Sequence, residues 1–235
     1  SVILFLEGSG VTSSAAASAA APPRSSPAKP APSTAPTATA VSVEQALALM
    51  GASQDEATRF TVLRDLVRKR NLAGPVSAAE MLSIVQGFGD KNRVAAIDTM
   101  KNMLAPNLSG TDALALMGEH TQDSARFRIL QSLLQAGRLR RPIAGEEAVA
   151  LLARFHDNLR ISAISIIDKQ LAADLGVRQV LALMGPEEKE PVRHRVLLTL
   201  LRAQRIKSPL AADEKLQLVE TLTGTYRSSA LQALK

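Results

Sequence analysis

The sequence predicts an all-α protein, an α-solenoid of about six helix-pair repeats that follows a disordered N-terminal arm. Three observations predict this fold class. The pentapeptide LALMG occurs three times, beginning at Leu47, Leu114 and Leu181, so consecutive copies are 67 residues apart. Arginines divide the same region into units of 33 or 34 residues, and apolar residues follow each arginine at helical spacing. A fixed period of this length is typical of stacked structural repeats.

The first 41 residues differ in composition from the rest of the chain. Residues 8–40 are mainly Ala, Ser, Thr and Pro, with two basic residues and no acidic one. Such a segment has no periodic apolar face to bury, so it is expected to be disordered. A Ser-rich, acid-poor composition is also typical of organelle targeting segments. Residues 1–41 are therefore interpreted as a disordered arm or as the remnant of a targeting segment, and residues 42–235 as the helical repeat domain.

Each repeat is predicted to be a pair of helices. Apolar residues lie one, four and seven positions after the first four periodic arginines, which places them on one stripe of a helix. A shorter apolar segment of about two turns precedes each arginine, as in 43–50 and 78–85. Ser77 and Glu80 are predicted to form a capping box at the start of the second of these segments. Pro and Gly residues between the units mark the connections.

The LALMG copies are expected at the end of the first helix in alternate repeats. In this interpretation the two leucines face the core and the methionine fills a gap. The glycine adopts the left-handed conformation that ends a helix.

The six periodic arginines are expected to have a structural role. They are Arg59, Arg93, Arg126, Arg160, Arg193 and Arg227. A cation near the start of a helix is unfavourable, so its repetition implies a specific partner. We expect each guanidinium to cap carbonyls at the end of the first helix or to pair with a nearby aspartate, namely Asp55, Asp90, Asp123 or Asp157. The alternative is a row of ligand-binding arginines.

A second basic set ends the second helix of alternate repeats. It comprises Arg68, Arg70, Arg138, Arg140, Arg141, Arg202, Arg205 and Lys207, together with Lys69. Favourable interaction of cations with helix C-termini could explain these residues, but it would apply equally to the other repeats, which lack the clusters. Stacking would bring the clusters to one edge of the molecule. Two interpretations remain open, a solvated edge and a surface for an acidic partner.

Two hexapeptides carry a family resemblance. They are FGDKNR at residues 88–93 and FHDNLR at residues 155–160. They resemble a family of short helical repeats catalogued only as a domain of unknown function, whose units share an aromatic residue, a short acidic turn and an arginine. The chain is more generally similar to helical-hairpin solenoids such as the HEAT class. The resemblance implies a helical stack and no chemistry.

The composition of the chain excludes several kinds of chemical site. The chain has no Cys, which excludes disulfides, thiolate metal sites and cysteine nucleophiles. His120, His156 and His194 occupy different places in their repeats, and no pair of histidines has metal-ligand spacing. We therefore expect no cofactor, no metal and no enzymatic activity.

The expected function is that of a protein-interaction or scaffold module, or of a structural subunit in a larger assembly. The alternative is binding of nucleic acid or another acidic partner through the basic edge, which the net charge of +6 permits. Nucleic acid is the less favoured partner because aromatic residues make up only 3% of the chain. No apolar run reaches the length of a membrane span. An intracellular or organellar location is slightly favoured, and secretion is left open.

Overall fold

The computed structural model describes residues 40–52 and 54–235, and the predicted arm lies outside this range except for its last two residues. The described residues form twelve α-helices and no strand, which confirms the all-α class. The helices are α1 (Val43–Met50), α2 (Glu56–Arg68), α3 (Ala78–Val85), α4 (Asp90–Met100), α5 (Gly110–Met117), α6 (Asp123–Gln135), α7 (Gly145–Leu152), α8 (Asp157–Ile167), α9 (Val177–Met184), α10 (Glu190–Arg202), α11 (Ala212–Val219) and α12 (Gly224–Ala233).

The helices contact each other in a regular order. Odd-numbered helices are eight residues long, and each packs against the longer even-numbered helix that follows it. We call these odd-numbered elements first helices, their even-numbered partners second helices, and each such pair a hairpin. Every helix also packs against the helix two positions along the chain, so first helices neighbour first helices and second helices neighbour second helices.

Local sequence explains where the first helices begin. Ser42, Ser77 and Ser109 are the N-caps of α1, α3 and α5, and each hydroxyl accepts a hydrogen bond from the amide three residues later. The predicted capping box at Ser77 is present, because Glu80 Oε2 accepts the Ser77 amide at 2.8 Å. In α7, α9 and α11 the N-cap is Ala or Gly, so only the reciprocal bond to the N-cap amide remains.

Five linkers join the hairpins, at residues 69–77, 101–109, 136–144, 168–176 and 203–211. Isolated parallel β-bridges connect each linker to the next, through Val76 and Leu104, Leu108 and Leu139, Ile143 and Leu171, and Leu175 and Ile206. A further bridge joins Val41 to Leu72, so Val41 belongs with the helical domain rather than with the predicted arm. The linkers therefore lie side by side at one end of the hairpins. We call this surface the linker edge.

The LALMG copies end α1, α5 and α9, as expected, but their leucines do not behave alike. Leu116 and Leu183 are fully buried, whereas the equivalent Leu49 is 58% exposed. The first leucine of each copy is only half-buried. The first leucines nevertheless pack against the core, so the expectation that both leucines face the core fails only at Leu49. The helices α5 and α9 each pack against a first helix on both sides, but no described helix precedes α1.

We expect the two equivalent leucines to differ in their contribution to stability. Leu116→Ala should lower the free energy of unfolding by about 2 to 5 kcal/mol, because it leaves a cavity in a closed core. Leu49→Ala should change it by only about 0.5 kcal/mol, as is usual for surface substitutions. Urea unfolding followed by circular dichroism measures both values. Equal losses would contradict the difference in burial.

Candidate interaction surfaces

The six periodic arginines occupy one position in the fold. Each is the fourth residue of a second helix, in α2, α4, α6, α8, α10 and α12. This position lies within the first turn, close to the turn that joins the two helices of a hairpin. The direction of each side chain therefore decides which helix ends the guanidinium can reach.

Arg93 and Arg160 reach into the next hairpin. Arg93 Nε donates to the carbonyl of Leu116 at 2.8 Å, and Arg160 Nε donates to that of Leu183 at 2.8 Å. Both carbonyls belong to the last turn of a first helix, where backbone acceptors lack helical partners and a cation is favourable. Each arginine thus lies in the first turn of its own helix, but its charge lies at the C-terminal end of the first helix of the next hairpin.

Arg160 makes the most contacts of the set. Its Nη2 donates to the carbonyl of Ala182 at 2.8 Å, and its Nη1 donates to those of Leu152 and Phe155 at 3.2 and 3.0 Å. One guanidinium therefore joins the end of α7 to the end of α9. Burial lowers the pKa of Arg160, and the nearby Glu188 carboxylate opposes that shift.

The other arginines vary this contact. Arg59 donates to the carbonyl of Gln86 at 3.3 Å and Arg193 to that of Thr221 at 2.8 Å, both in the next hairpin. Arg126 instead bonds within its own hairpin, to Gly118, Glu119 and the carboxylate of Asp123.

The expected arginine–aspartate pairing occurs only at Arg126 among the described arginines of the set. Asp55 caps its own helix by accepting from Thr58. Arg59, Arg93, Arg160 and Arg193 bind carbonyls, the other expected arrangement, but they reach the next hairpin as well as or instead of the first helix of their own. Arg227, in the last hairpin, is exposed.

Two LALMG glycines are needed for the arginine contacts. A Cβ atom added at Gly118 would lie 3.0 Å from Arg93 Cζ, and one added at Gly185 would lie 2.9 Å from Arg160 Cζ. Both glycines have positive φ, 81° and 80°, with extended ψ. The glycines therefore do not adopt the predicted left-handed helical conformation. They adopt another conformation with positive φ, which is also accessible mainly to glycine. The glycine ends the helix and makes room for the guanidinium.

A second period is present, and the sequence analysis named three of its members, Asp90, Asp123 and Asp157, only as possible partners of the arginines. An acidic residue is the first residue of α2, α4, α6, α8 and α10, at Glu56, Asp90, Asp123, Asp157 and Glu190. Glu56 accepts the amide of Gly89 at 2.7 Å, Asp90 accepts that of Gln122 at 3.0 Å, and Glu190 accepts that of Thr223. Each of these amides belongs to the N-cap residue of the next second helix. The signal was an acidic residue three positions before the periodic arginines.

His156 has a carboxylate partner from the next hairpin. Its Nδ1 lies 3.0 Å from Glu188 Oε1, while Glu188 Oε2 accepts the amide of Asp157 at 2.9 Å. Glu188 is buried, and Arg160 Nη1 lies 4.0 Å from the same carboxylate. Sequence spacing missed this cluster because Glu188 is 32 residues from His156. The contacts hold the turn of one hairpin against the helix start of another.

His194 lies in a different environment. Burial lowers its pKa below the ordinary 6.5, Arg202 lowers it further, and Glu190 acts in the opposite direction. Its ring packs against Tyr226, with centroids 5.1 Å apart. His156 and His194 therefore have different partners, and His120 is exposed.

The second basic set lies at the linker edge, but its members are not equivalent. Arg138 donates to the carbonyl of Lys101 at 2.9 Å, and Arg205 to that of Lys169 at 3.2 Å. Both carbonyls follow the second helix of the preceding hairpin, so these two arginines join neighbouring linkers. Arg140 pairs with Glu147 at 2.6 Å.

The remaining members of the set are exposed. They are Arg68, which lies 3.7 Å from Asp65, and Arg70, Arg141, Arg202 and Lys207. The linkers that follow the second and fourth hairpins add Lys101 and Lys169 to the edge, which the sequence analysis did not predict. The five linkers together contain nine Lys or Arg and two Asp. The linker edge is therefore strongly basic.

The part of the chain that the structure describes, residues 40–52 and 54–235, contains no cluster of three or more His, Asp or Glu side chains suited to a metal ion. None of its helices combines the length and the apolarity needed to cross a bilayer.

Comparison of the chain with protein-family models, with curated proteins and with solved structures gave no match.

We expect Arg160→Met to destabilise the protein by about 2 to 4 kcal/mol, because it removes the donor from several buried carbonyls. Arg160→Lys should recover little of this loss, since an ammonium group cannot reproduce the planar fork of donors. Arg227→Met is the matched control at the exposed position and should change stability by about 0.5 kcal/mol or less. Urea unfolding of the three variants provides the measurement. Equal effects at Arg160 and Arg227 would argue against the carbonyl contacts.

Proposed function

We propose that residues 42–235 form an α-solenoid of six helix-pair repeats that acts as a non-enzymatic protein-interaction or scaffold module. The observation that carries the proposal is the pattern of helix contacts. Each helix packs on its hairpin partner and on the helices two positions away. Such a stack presents long surfaces that grow with each repeat. The arginine contacts support the same interpretation, because they join consecutive hairpins. The proposal includes membership of the chain in the family of short helical repeats of unknown function that its two hexapeptides resemble.

Partner capture tests the proposed function. We expect the full chain, immobilised and exposed to extract from its native source, to retain a protein at fixed stoichiometry and with its mass unchanged. A stack whose long surfaces bind a partner should hold it without altering it. Quantitative mass spectrometry measures both properties against an unrelated helical protein as the control. Time-dependent cleavage or modification of the retained protein would contradict the non-enzymatic assignment, and the absence of enrichment over the control would contradict the binding function.

The second candidate is binding of an acidic partner through the linker edge. It is favoured by the nine basic residues of the linkers and by the bridges that bring the linkers together. Among acidic partners, an acidic protein segment is favoured over single-stranded nucleic acid. Phe88 and Phe155 are buried and Phe60 and Phe127 are half-buried, so none of these four offers a freely exposed ring for stacking on bases.

Charge reversal at the linker edge tests this candidate. The edge variant is Arg70→Glu, Arg141→Glu and Lys207→Glu, which leaves the carbonyl contacts of Arg138 and Arg205 intact. The control is Arg64→Glu, Arg128→Glu and Arg195→Glu, at exposed positions on second helices of the same hairpins, with an identical change in net charge.

We expect the edge variant to bind poly-glutamate at least about tenfold more weakly than the control variant. Binding of duplex and single-stranded DNA is measured in parallel at two salt concentrations, because phosphate contacts give a log–log salt slope of about −0.7 to −0.9 each. Stronger binding to DNA than to poly-glutamate would assign the edge to nucleic acid. Equal affinities of the two variants for every polyanion would contradict this candidate function and indicate that the linker edge is only a solvated surface.

A further inference from the structure

The large apolar side chains that stay exposed belong to the first and the last hairpin. Among the described residues they are Leu49, Leu216 and Tyr226. Leu49 lies in the first hairpin, and Leu216 and Tyr226 lie in the sixth. Each of the four hairpins between them packs against a neighbour on both sides. The two end hairpins therefore expose apolar surface of a kind that the inner hairpins bury.

The first hairpin exposes a face that the equivalent hairpins cover. Three apolar positions form this face, namely Leu49, Val62 and Leu66. Leu49 is 58% exposed, and the other two side chains are half-buried. The residues one 67-residue period later are all fully buried, namely Leu116, Ile129 and Leu133. The third hairpin differs from the first in having a hairpin packed on this side.

The sixth hairpin carries an arginine that lacks the usual partner. Arg227 holds the position of Arg93 and Arg160, which donate to the end of the first helix in the next hairpin at 2.8 Å. Arg160 is 4% exposed, whereas Arg227 is exposed, and no described helix follows α12. One turn later, Leu231 is half-buried where the equivalent Ile164 is fully buried. Both the donor and the apolar residue are thus available to a further hairpin.

The matching acceptors lie at the end of α1. The carbonyls of Ala48 and Leu49 correspond to the two carbonyls that Arg93 binds in α5. Gly51 follows them with a φ of 67°, and the atoms within 4 Å of a Cβ added there belong only to Gln54. The space that a guanidinium fills beside the glycines of the third and fifth hairpins is therefore open in the first. The end of α1 has the form of an arginine site, and no described arginine binds it.

A second polar pair matches across the same two hairpins. Gln179 Nε2 donates to Glu146 Oε1 at 3.2 Å and so joins α9 to α7. The equivalent residues are Gln45 in α1 and Asp213 in α11, and both are exposed. Gln45 Oε1 accepts the amide of Ser42, which leaves its Nε2 to donate. The first hairpin thus offers the donor, and the sixth offers the acceptor.

A change in the acidic period removes a repulsion between these hairpins. Asp90 accepts the amide of Gln122, the N-cap of the next second helix. In the sixth hairpin the position of Asp90 is Gly224, while the N-cap of α2 is Asp55, the one acidic N-cap among the described helices. A carboxylate at position 224 would oppose Asp55 if the sixth hairpin met the first. Glycine there avoids the contact between like charges.

We propose that copies of this chain associate head to tail, with the sixth hairpin of one copy packed against the first hairpin of the next. Arg227 then donates to the carbonyls of Ala48 and Leu49, as Arg160 does in the fifth hairpin, and the side chain of Leu49 becomes buried. Contact between two sixth hairpins would oppose two arginines, and contact between two first hairpins would oppose two sets of carbonyls. Only the head-to-tail arrangement pairs donors with acceptors. Such a heterologous contact joins copies into rings or open chains.

This inference goes beyond the proposed scaffold function, because it concerns copies of this chain and not another protein. Two substitutions each block one end. Arg227→Glu removes the donor from the sixth hairpin, and Leu49→Glu places a charge on the exposed face of the first. The matched controls, Arg195→Glu and Thr61→Glu, make the same changes in charge at exposed positions. The equivalent Arg128 stays exposed although hairpins flank it on both sides, so these positions lie outside the proposed contact.

Sedimentation velocity over a range of concentrations measures the association, and circular dichroism establishes that each variant is folded. We expect wild type and both controls to self-associate, and each blocked variant to do so at least about tenfold more weakly. An equimolar mixture of the two blocked variants should form a dimer that contains one copy of each and does not grow. In that dimer the intact sixth hairpin of the Leu49→Glu copy meets the intact first hairpin of the Arg227→Glu copy.

The other outcomes overturn the inference. A wild-type chain that stays monomeric up to about 1 mM would exclude the contact. If Leu49→Glu also destabilised that monomer more than Thr61→Glu, the face would belong to another part of the same chain. Undiminished association of Arg227→Glu alone would indicate paired first hairpins, and that of Leu49→Glu alone would indicate paired sixth hairpins. Equal weakening in the blocked and control variants would place the contact elsewhere.

Partner capture separates this inference from the proposed function. If the full chain is monomeric but retains another protein from the extract, the scaffold function stands and head-to-tail association fails. If the chain associates head to tail and retains no other protein, the inference stands and the scaffold function fails.

Discussion

The structure depends on a contact between neighbouring hairpins in which an arginine of one hairpin binds the helix end of the next. Arg93 and Arg160 show it most fully, with donors 2.8 Å from the carbonyls of Leu116 and Leu183. These carbonyls have no partner within their own helices, and the guanidinium provides both hydrogen bonds and a favourable charge. Apolar packing alone is non-directional, whereas this contact specifies how one hairpin sits against the next.

The remaining polar contacts are arranged around the same junctions. At the turn end of the hairpins, acidic residues such as Glu56 and Asp90 accept the amide that begins the next second helix. At the opposite end, the linkers are bridged to one another, and Arg138 and Arg205 bond the backbone that follows the preceding second helix. Polar groups thus connect consecutive hairpins at both ends, and the buried apolar side chains lie between them.

The distribution of charge follows the ends of the hairpins. The linkers contain nine Lys or Arg and two Asp, while the carboxylates of the first helices lie within the first turn, directly after the linkers. Several of these carboxylates are used there, because Glu80 and Asp112 accept N-cap amides and Glu147 pairs with Arg140. A net charge of +6 therefore conceals an alternation of basic linker residues and acidic helix starts.

The sequence by itself determined the helical class, the period and the position of each arginine, because helical spacing and fixed repeats are local patterns. It also located the capping box at Ser77 and the helix ends at Gly118 and Gly185. It could not determine which hairpin supplies the partners of the arginines, since Arg93 and Arg160 bind carbonyls of the next hairpin, 22 or 23 residues away, whereas Arg126 binds carbonyls of its own. The tertiary structure alone decided that Glu188 meets His156, that Arg138 supports a linker instead of facing solvent, and that Leu49 is exposed where Leu116 is buried. Equivalent residues in a repeat share a local environment, but their burial and their partners depend on which hairpin lies beside them.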